Sequence, residues 1–240
     1  MGTRRIEDFG AVAIPYRPGP GREQAFDLVR RWWKAWGFDV FVADSNPDLP
    51  FSLSEARNNA VRLVEQSELG PGVVVVCDAD TIPQRDVIRK AIKIASEPGH
   101  VIYPFTDYRY ISSQWAWAGR AEDVSDDTLI KTDFGAVATP IWNKENSVGG
   151  VIVTHSQTYW DLGGMDEKFE RCWGFEDNAF VAVADTLAKV IRLPGQVYSF
   201  SHEVEGVGRD WSKLNPNYWR NELYQMCWGN PKLMRELVKK

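Results

Sequence analysis

Cysteine and histidine are both scarce in this chain, three of each in 240 residues. Cys77, Cys172 and Cys227 are far apart and form no C-x-x-C pair, which excludes a disulfide framework and a structural zinc site. No stretch approaches the roughly 18 consecutive apolar residues of a membrane-spanning helix, so no membrane span is expected. The first residues, MGTRRIEDFG, carry no apolar run of the kind a secretion signal needs. Ile6 stands where a myristoylation signal calls for Ser or Thr. An excess of positive charge is also missing: the formal net charge is −5 and the isoelectric point about 5.3. Such a chain has no global field to draw it onto nucleic acid, which weakly disfavours that partner. A cytoplasmic chain is the expectation.

What is present is an ordinary globular composition, 44% hydrophobic and 25% charged. The length suits one large domain, residues 1–240, with a substantial core. Tryptophan is abundant, with eleven residues, some of them grouped as Trp32, Trp33 and Trp36 or as Trp115 and Trp117.

The chain opens with an apolar strand at AVAIP. A helix over residues 22–36 follows, its apolar residues Phe26, Val29, Trp33 and Trp36 recurring at three or four. FDVFVAD reads as a second strand ending at Asp44. Ser52 or Ser54 caps a second helix, SEARNNAVRLVEQ. VVVVC is a third strand, DADTIP a turn, and Pro83 opens a helix over residues 84–96. HVIYPF is a fourth strand. Strand–helix alternation through residue 105 implies a mostly parallel sheet covered by helices, an α/β fold. Ligands in such sheets sit at the carboxyl ends of the strands, where Pro15, Tyr16, Arg17, Asp44, Asp78 and Asp80 fall. Residues 106–147 have weak periodicity and read as a loop or lid. Trp115 and Trp117 within them suit either a sugar-stacking surface or packed core. Residues 148–205 hold a strand opened by glycines (VGGVIVTH), a short helix, a helix at EDNAFVAVADTLA and two further short strands. Residues 206–240 read as a helical tail.

Three groups of residues suggest chemistry. Asp78 and Asp80 follow a buried strand directly. Unpaired, two carboxylates this close raise each other's pKa, whereas a hard divalent cation satisfies both; a solvated turn is the plainer alternative. Glu176 and Asp177 stand at a helix N-terminus, where negative charge is favoured, but Trp173-Gly174 just before them suits a cleft wall and a close backbone approach. His202, at a strand end, is a candidate metal ligand. His100 and His155 are assigned no role.

In this order, VCDAD, then VGGVIVTHSQTYWDLGGMDEKFERCWGFEDNAF, then FSH resemble the GT-A nucleotide-sugar glycosyltransferases. The middle segment is similar to the galactosyltransferase and polypeptide N-acetylgalactosaminyltransferase branch. AIPYR resembles that branch's first strand, and FSLSEARNNAV the helix before its D-x-D. The resemblance covers residues 11–205. It implies a Rossmann-like three-layer α/β/α sandwich, 1–105 being the nucleotide-binding half and 148–205 the acceptor and metal half. It further implies Mn2+ (or Mg2+) on Asp78, Asp80 and His202, holding the diphosphate of a UDP-sugar donor. Pro15, Tyr16, Arg17, Asp44, Arg57, Asp78, Ala79, Gly149 and Gly150 then border the donor. Trp173, Gly174 and Glu176 border the acceptor, which is a glycan, a protein, a small molecule or a modified base. Asp177 becomes the base, with inversion, because the inverting galactosyltransferases use the Asp of a Glu-Asp pair; the retaining enzymes carry Glu-Asn there. Two alternatives stand beside this: a GT-A domain that binds a nucleotide sugar or glycan without turnover, and a haloacid-dehalogenase-type phosphatase, which also uses D-x-D but has Thr or Val where Ile82 stands.

Overall fold

The computed structural model describes residues 10–19, 21–111, 125–136, 138–140, 147–200 and 212–239. His202, Trp115 and Trp117 lie outside the described residues.

The main sheet has the order β2-β1-β3-β8-β5-β9, from β1 (Ala11–Pro15), β2 (Asp39–Ala43), β3 (Val73–Cys77), β5 (His100–Tyr103), β8 (Val151–His155) and β9 (Lys189–Arg192). β8 runs antiparallel to both its neighbours, β3 and β5, and the other strands share one direction. Val12, Ile14, Val74, Val75 and Val153 are fully buried. Strands apolar on both faces require a cover on each, and the helices supply two groups. α1 (Glu23–Ala35) lies with α3 (Arg85–Ala95): the guanidinium groups of Arg85 and Arg89 sit 4.7 and 5.4 Å from the Trp36 ring centroid. α2 (Leu53–Gln66) lies with the segment after β8, where Asn58 accepts from Tyr159 Oη at 2.7 Å and from Met165 N at 2.9 Å. The result is a mixed α/β architecture around a mostly parallel sheet, as the alternation of elements implies.

α2 starts where Ser52 Oγ accepts from Glu55 N at 3.3 Å, so Ser52 rather than Ser54 is the cap. Tyr159 and Trp160 lie on the short helix α5 (Ser156–Asp161), capped by His155. α6 (Glu176–Leu187), α7 (Tyr218–Cys227) and α8 (Pro231–Val238) complete the described α-helices with α4 (Asp126–Lys131).

Two sequence expectations need correction. DADTIP is not wholly a turn: Thr81–Pro83 is a strand, β4, antiparallel to β10 (Gln196–Phe200), and helix α3 begins only at Arg85. Pro83 fits there because β4 is the edge of its sheet, where a missing N–H costs little. Residues 106–147 are not element-free either. β6 (Asp107–Ile111) pairs parallel with β10, β7 (Ala138–Pro140) pairs antiparallel with β6, and together with β4 they form a second sheet, β4-β10-β6-β7. Asp78-Ala79-Asp80 is therefore the link between the end of β3 in one sheet and the start of β4 in the other.

Candidate active site

The site is built where several elements end together. β3 delivers Asp78 and Asp80. Because β8 runs the opposite way, its entry, not its exit, lies at the same rim. The register pairs Cys77 with Val151, and Asp78 N donates to Gly150 O at 2.8 Å. Gly150 thus lies against Asp78. A Cβ on Gly149 would stand 2.7 Å from Asp177 Oδ2, closer than real side chains approach, so glycine there lets a carboxylate rest against backbone.

Glu176 and Asp177 open α6. The turn before them is sharp: Gly174 has φ +108°, and Phe175, the helix cap, is left-handed at φ +76°. A bulky residue in that region is strained and persists only where its surroundings hold it. Two asparagines do so. Asn217 Nδ2 donates to Gly174 O at 3.1 Å and Glu170 O at 3.2 Å, and its Oδ1 accepts from Glu170 N at 2.7 Å. Asn215 Nδ2 donates to Trp173 O at 3.0 Å. Both are buried, as is Glu176; Trp173 is half-buried.

Arg57 joins the two acidic pairs. Its side chain, on α2, is 3% exposed. Nη2 donates to Asp78 Oδ1 at 2.7 Å and Nη1 to Asp177 Oδ1 at 2.5 Å. Burial opposes the guanidinium charge, but Asp177, Asp78 and Glu176 outweigh it and hold its pKa well above the usual value. One cation does not neutralise the group. Burial, then repulsion from Asp177 and Asp80, pushes Asp78 up to about 6 despite Arg57. Burial, then Asp177, pushes Glu176 up to about 7. Burial, then Asp80 and Asp78, raises the phenol of Tyr108, which stays neutral.

Asp80 is tied to the second sheet. Its Oδ1 accepts from Thr81 Oγ1 at 3.0 Å, its Oδ2 from Ser199 Oγ at 3.4 Å, and its carbonyl from Phe200 N at 2.8 Å. β10 therefore ends against Asp80, two residues before His202. Among the described residues no three His, Cys, Asp or Glu side chains are arranged to hold a metal ion. The donor chemistry nonetheless suits a hard dication: Asp78 and Asp80 offer oxygens, and a dication would stabilise the charged form of Asp78 against both its burial and the repulsion from Asp177 and Asp80.

Tyr16, Arg17 and Asp44 follow β1 and β2 on the same rim, but the two charges serve each other. Arg17 Nε donates to both Asp44 oxygens, at 2.9 and 2.8 Å, and Nη1 to Leu49 O at 2.7 Å. Tyr16 stacks on Phe26 with centroids 3.7 Å apart. Pro15 is the last residue of β1, paired with Ala43, and Ala79 lies half-buried between the two aspartates. The structure thus brings Arg57, Asp78, Gly149, Gly150, Glu176 and Asp177 into one cluster. Asn215, Asn217 and Tyr108 are the participants that sequence reasoning missed. Arg57's bridging position had a signal: it interrupts the apolar stripe Leu53, Ala60, Val61, Val64 of α2, and a charge in such a stripe needs a buried partner.

No family model matches the chain, and no curated protein matches it. Among solved structures it is similar to the catalytic domain of Drosophila β1,4-galactosyltransferase 7 in complex with xylobiose, at 17% identity and TM-score 0.55, over 90% of this chain and 79% of that one. It is also similar to GalNAc-T7 with UDP, GalNAc and Mn2+, at 16% identity and TM-score 0.51, over 90% of this chain and 43% of that one. At such identities the likeness speaks for architecture: the chain has the GT-A fold of the galactosyltransferase and N-acetylgalactosaminyltransferase type.

Proposed function

We propose that this chain is a metal-dependent glycosyltransferase that moves a hexose or N-acetylhexosamine from a UDP-sugar to an acceptor hydroxyl with inversion. One observation carries the reading: buried Arg57 clamps the first D-x-D carboxylate and the first-turn aspartate of α6 into one cluster at the strand-end rim. The fold supports it, and both structural relatives are sugar transferases by name, one holding UDP and Mn2+.

Asp78 and Asp80, with His202, would hold Mn2+ (or Mg2+), which supplies a Lewis acid for the departing diphosphate. The Gly149-Gly150 backbone borders the donor sugar, and Arg17 and Asp44 border its nucleotide. Asp177 takes the proton of the attacking hydroxyl as the new C–O bond forms. The bond from the sugar's anomeric carbon to the diphosphate breaks, and its electron pair leaves with UDP. The pairing of Asp177 Oδ1 with Arg57 leaves Oδ2, which faces Gly149, for that proton. Glu176, poised near neutrality, orients the acceptor, with Trp173 as a wall. The GT-A fold removes the dehalogenase-type phosphatase reading.

The test is UDP release from a panel of UDP-sugars, with and without Mn2+. Release only with metal, lost in Asp80→Ala, supports the proposal. Tight donor binding with no release, by hydrolysis or to any acceptor, would make the chain a binding domain instead.

A further inference from the structure

Six large apolar side chains, Leu214, Trp219, Leu223, Met226, Trp228 and Leu233, are exposed within one stretch; Leu49 and Leu63 are the others exposed among the described residues. Trp219, Leu223 and Met226 recur at four and three along α7 and so share a face; Asn221 and Tyr224, on the opposite face, are buried. Leu214 is 87% exposed, Met226 78% and Trp219 61%, a concentration of bare apolar surface that marks an interaction site rather than ordinary surface scatter.

The charge of the same stretch is inverted relative to the chain. Residues 212–240 hold six Lys or Arg against two Glu, a net +4; since the whole chain is −5, the rest carries −9. Arg220 is engaged with Asp166, but Lys232, Arg235 and Lys239 are exposed on and beside α8, and the Lys213 ammonium lies 5.8 Å from the Trp219 ring centroid. Tryptophan, leucine and methionine flanked by lysine is the chemistry of a helix lying in the interface of an anionic membrane. A second copy docked symmetrically through this face would bring the same positive charges together, which disfavours a face-to-face dimer. No helix among the described residues is long and apolar enough to cross a membrane, so the contact is peripheral. The face also adjoins the candidate acceptor side. Asn215 and Asn217, just ahead of α7, brace the turn at Trp173-Gly174, and Tyr218 meets the Phe175 ring edge-on at 5.8 Å.

We propose that the α7–α8 face docks on an anionic lipid surface, with its aromatic and aliphatic side chains in the headgroup layer and its lysines against the lipid charge. Flotation of the full chain with vesicles tests this, comparing phosphatidylcholine alone with equal parts phosphatidylcholine and phosphatidylglycerol. The protein is expected to float with the anionic vesicles only, and less so as salt rises. Lys232→Gln with Arg235→Gln should weaken binding roughly thirtyfold, and Trp219→Ser with Met226→Ser should abolish it. The substituted side chains are exposed, so unchanged thermal melting is expected in both variants. Absence of flotation, or flotation indifferent to both variants, overturns the proposal. So does a dimer broken by Trp219→Ser, or an oligonucleotide shift, in protein that does not float. Flotation does not depend on transfer activity, so it succeeds or fails independently of the proposed reaction.

Discussion

Replacing Arg57 with methionine tests the electrostatic core of the site. Methionine keeps much of the volume on α2 but removes the cation between Asp78 and Asp177. Those carboxylates are 24% and 20% exposed, so water screens them only in part. Breaking a buried pair by removing one partner costs about 3–5 kcal/mol, and the partial exposure places the expectation at the low end, about 3 kcal/mol. For a chain of this size that corresponds to a fall in melting temperature of roughly 6–12 °C near neutral pH. The loss depends on pH in a defined direction. Asp78 already has a pKa raised to about 6, and without Arg57 it rises further. At about pH 5 the carboxyl is protonated and needs no cation, so the penalty shrinks there. Intrinsic tryptophan fluorescence during heating of metal-free protein, at about pH 5 and at about pH 7.5, reads both numbers. An equal loss at the two pH values would mean that the pairing with Asp78 contributes nothing and that Arg57 acts through Asp177 and packing alone, and no loss at either would refute the clamp.

Two further outcomes follow from the same geometry. Glu176 has a folded-state pKa of about 7 against an ordinary 4.5, so the folded protein binds its proton more tightly. The stability this contributes is full below about pH 4.5 and is lost as pH rises through about 7. Glu176→Gln should flatten that decline in urea titrations across this range. Gly149→Ala places a methyl 2.7 Å from Asp177 Oδ2, so the carboxylate must move; transfer is expected to fall at least about tenfold while donor affinity changes little. Steady-state kinetics with separate donor-binding isotherms distinguish the two.

The legible part of the fold is the part made by local apolar runs. AVAIP and VVVVC are strands because nothing in them tolerates water, and α1 shows its buried stripe through Val29 and Trp33. β4 was hidden because three residues ending in proline look like a turn; it is a strand only through its pairing with β10, more than a hundred residues away. β6, DYRYI, mixes aromatic and charged residues, and its partner strand likewise comes from far along the chain. The acidic pairs could be picked out because carboxylates side by side demand a cause. A buried charge on α2 could be read too, from the way Arg57 interrupts its apolar stripe, but its partners could not, since Arg57, Asp78 and Asp177 meet only when α2, β3 and α6 are folded together. Asn215 and Asn217 look like turn residues in N-P-N, and only the left-handed backbone at Phe175 gives them a task.

Asp177→Asn bears most directly on the proposed reaction. The amide keeps the shape of the side chain but cannot accept the hydroxyl proton. Measured with Mn2+, a UDP-sugar that the wild-type chain turns over and its acceptor, the variant is expected to bind donor near normally and to lose transfer by a factor of roughly 100 to 10,000. Transfer at the wild-type rate would contradict the assignment of Asp177 as the base.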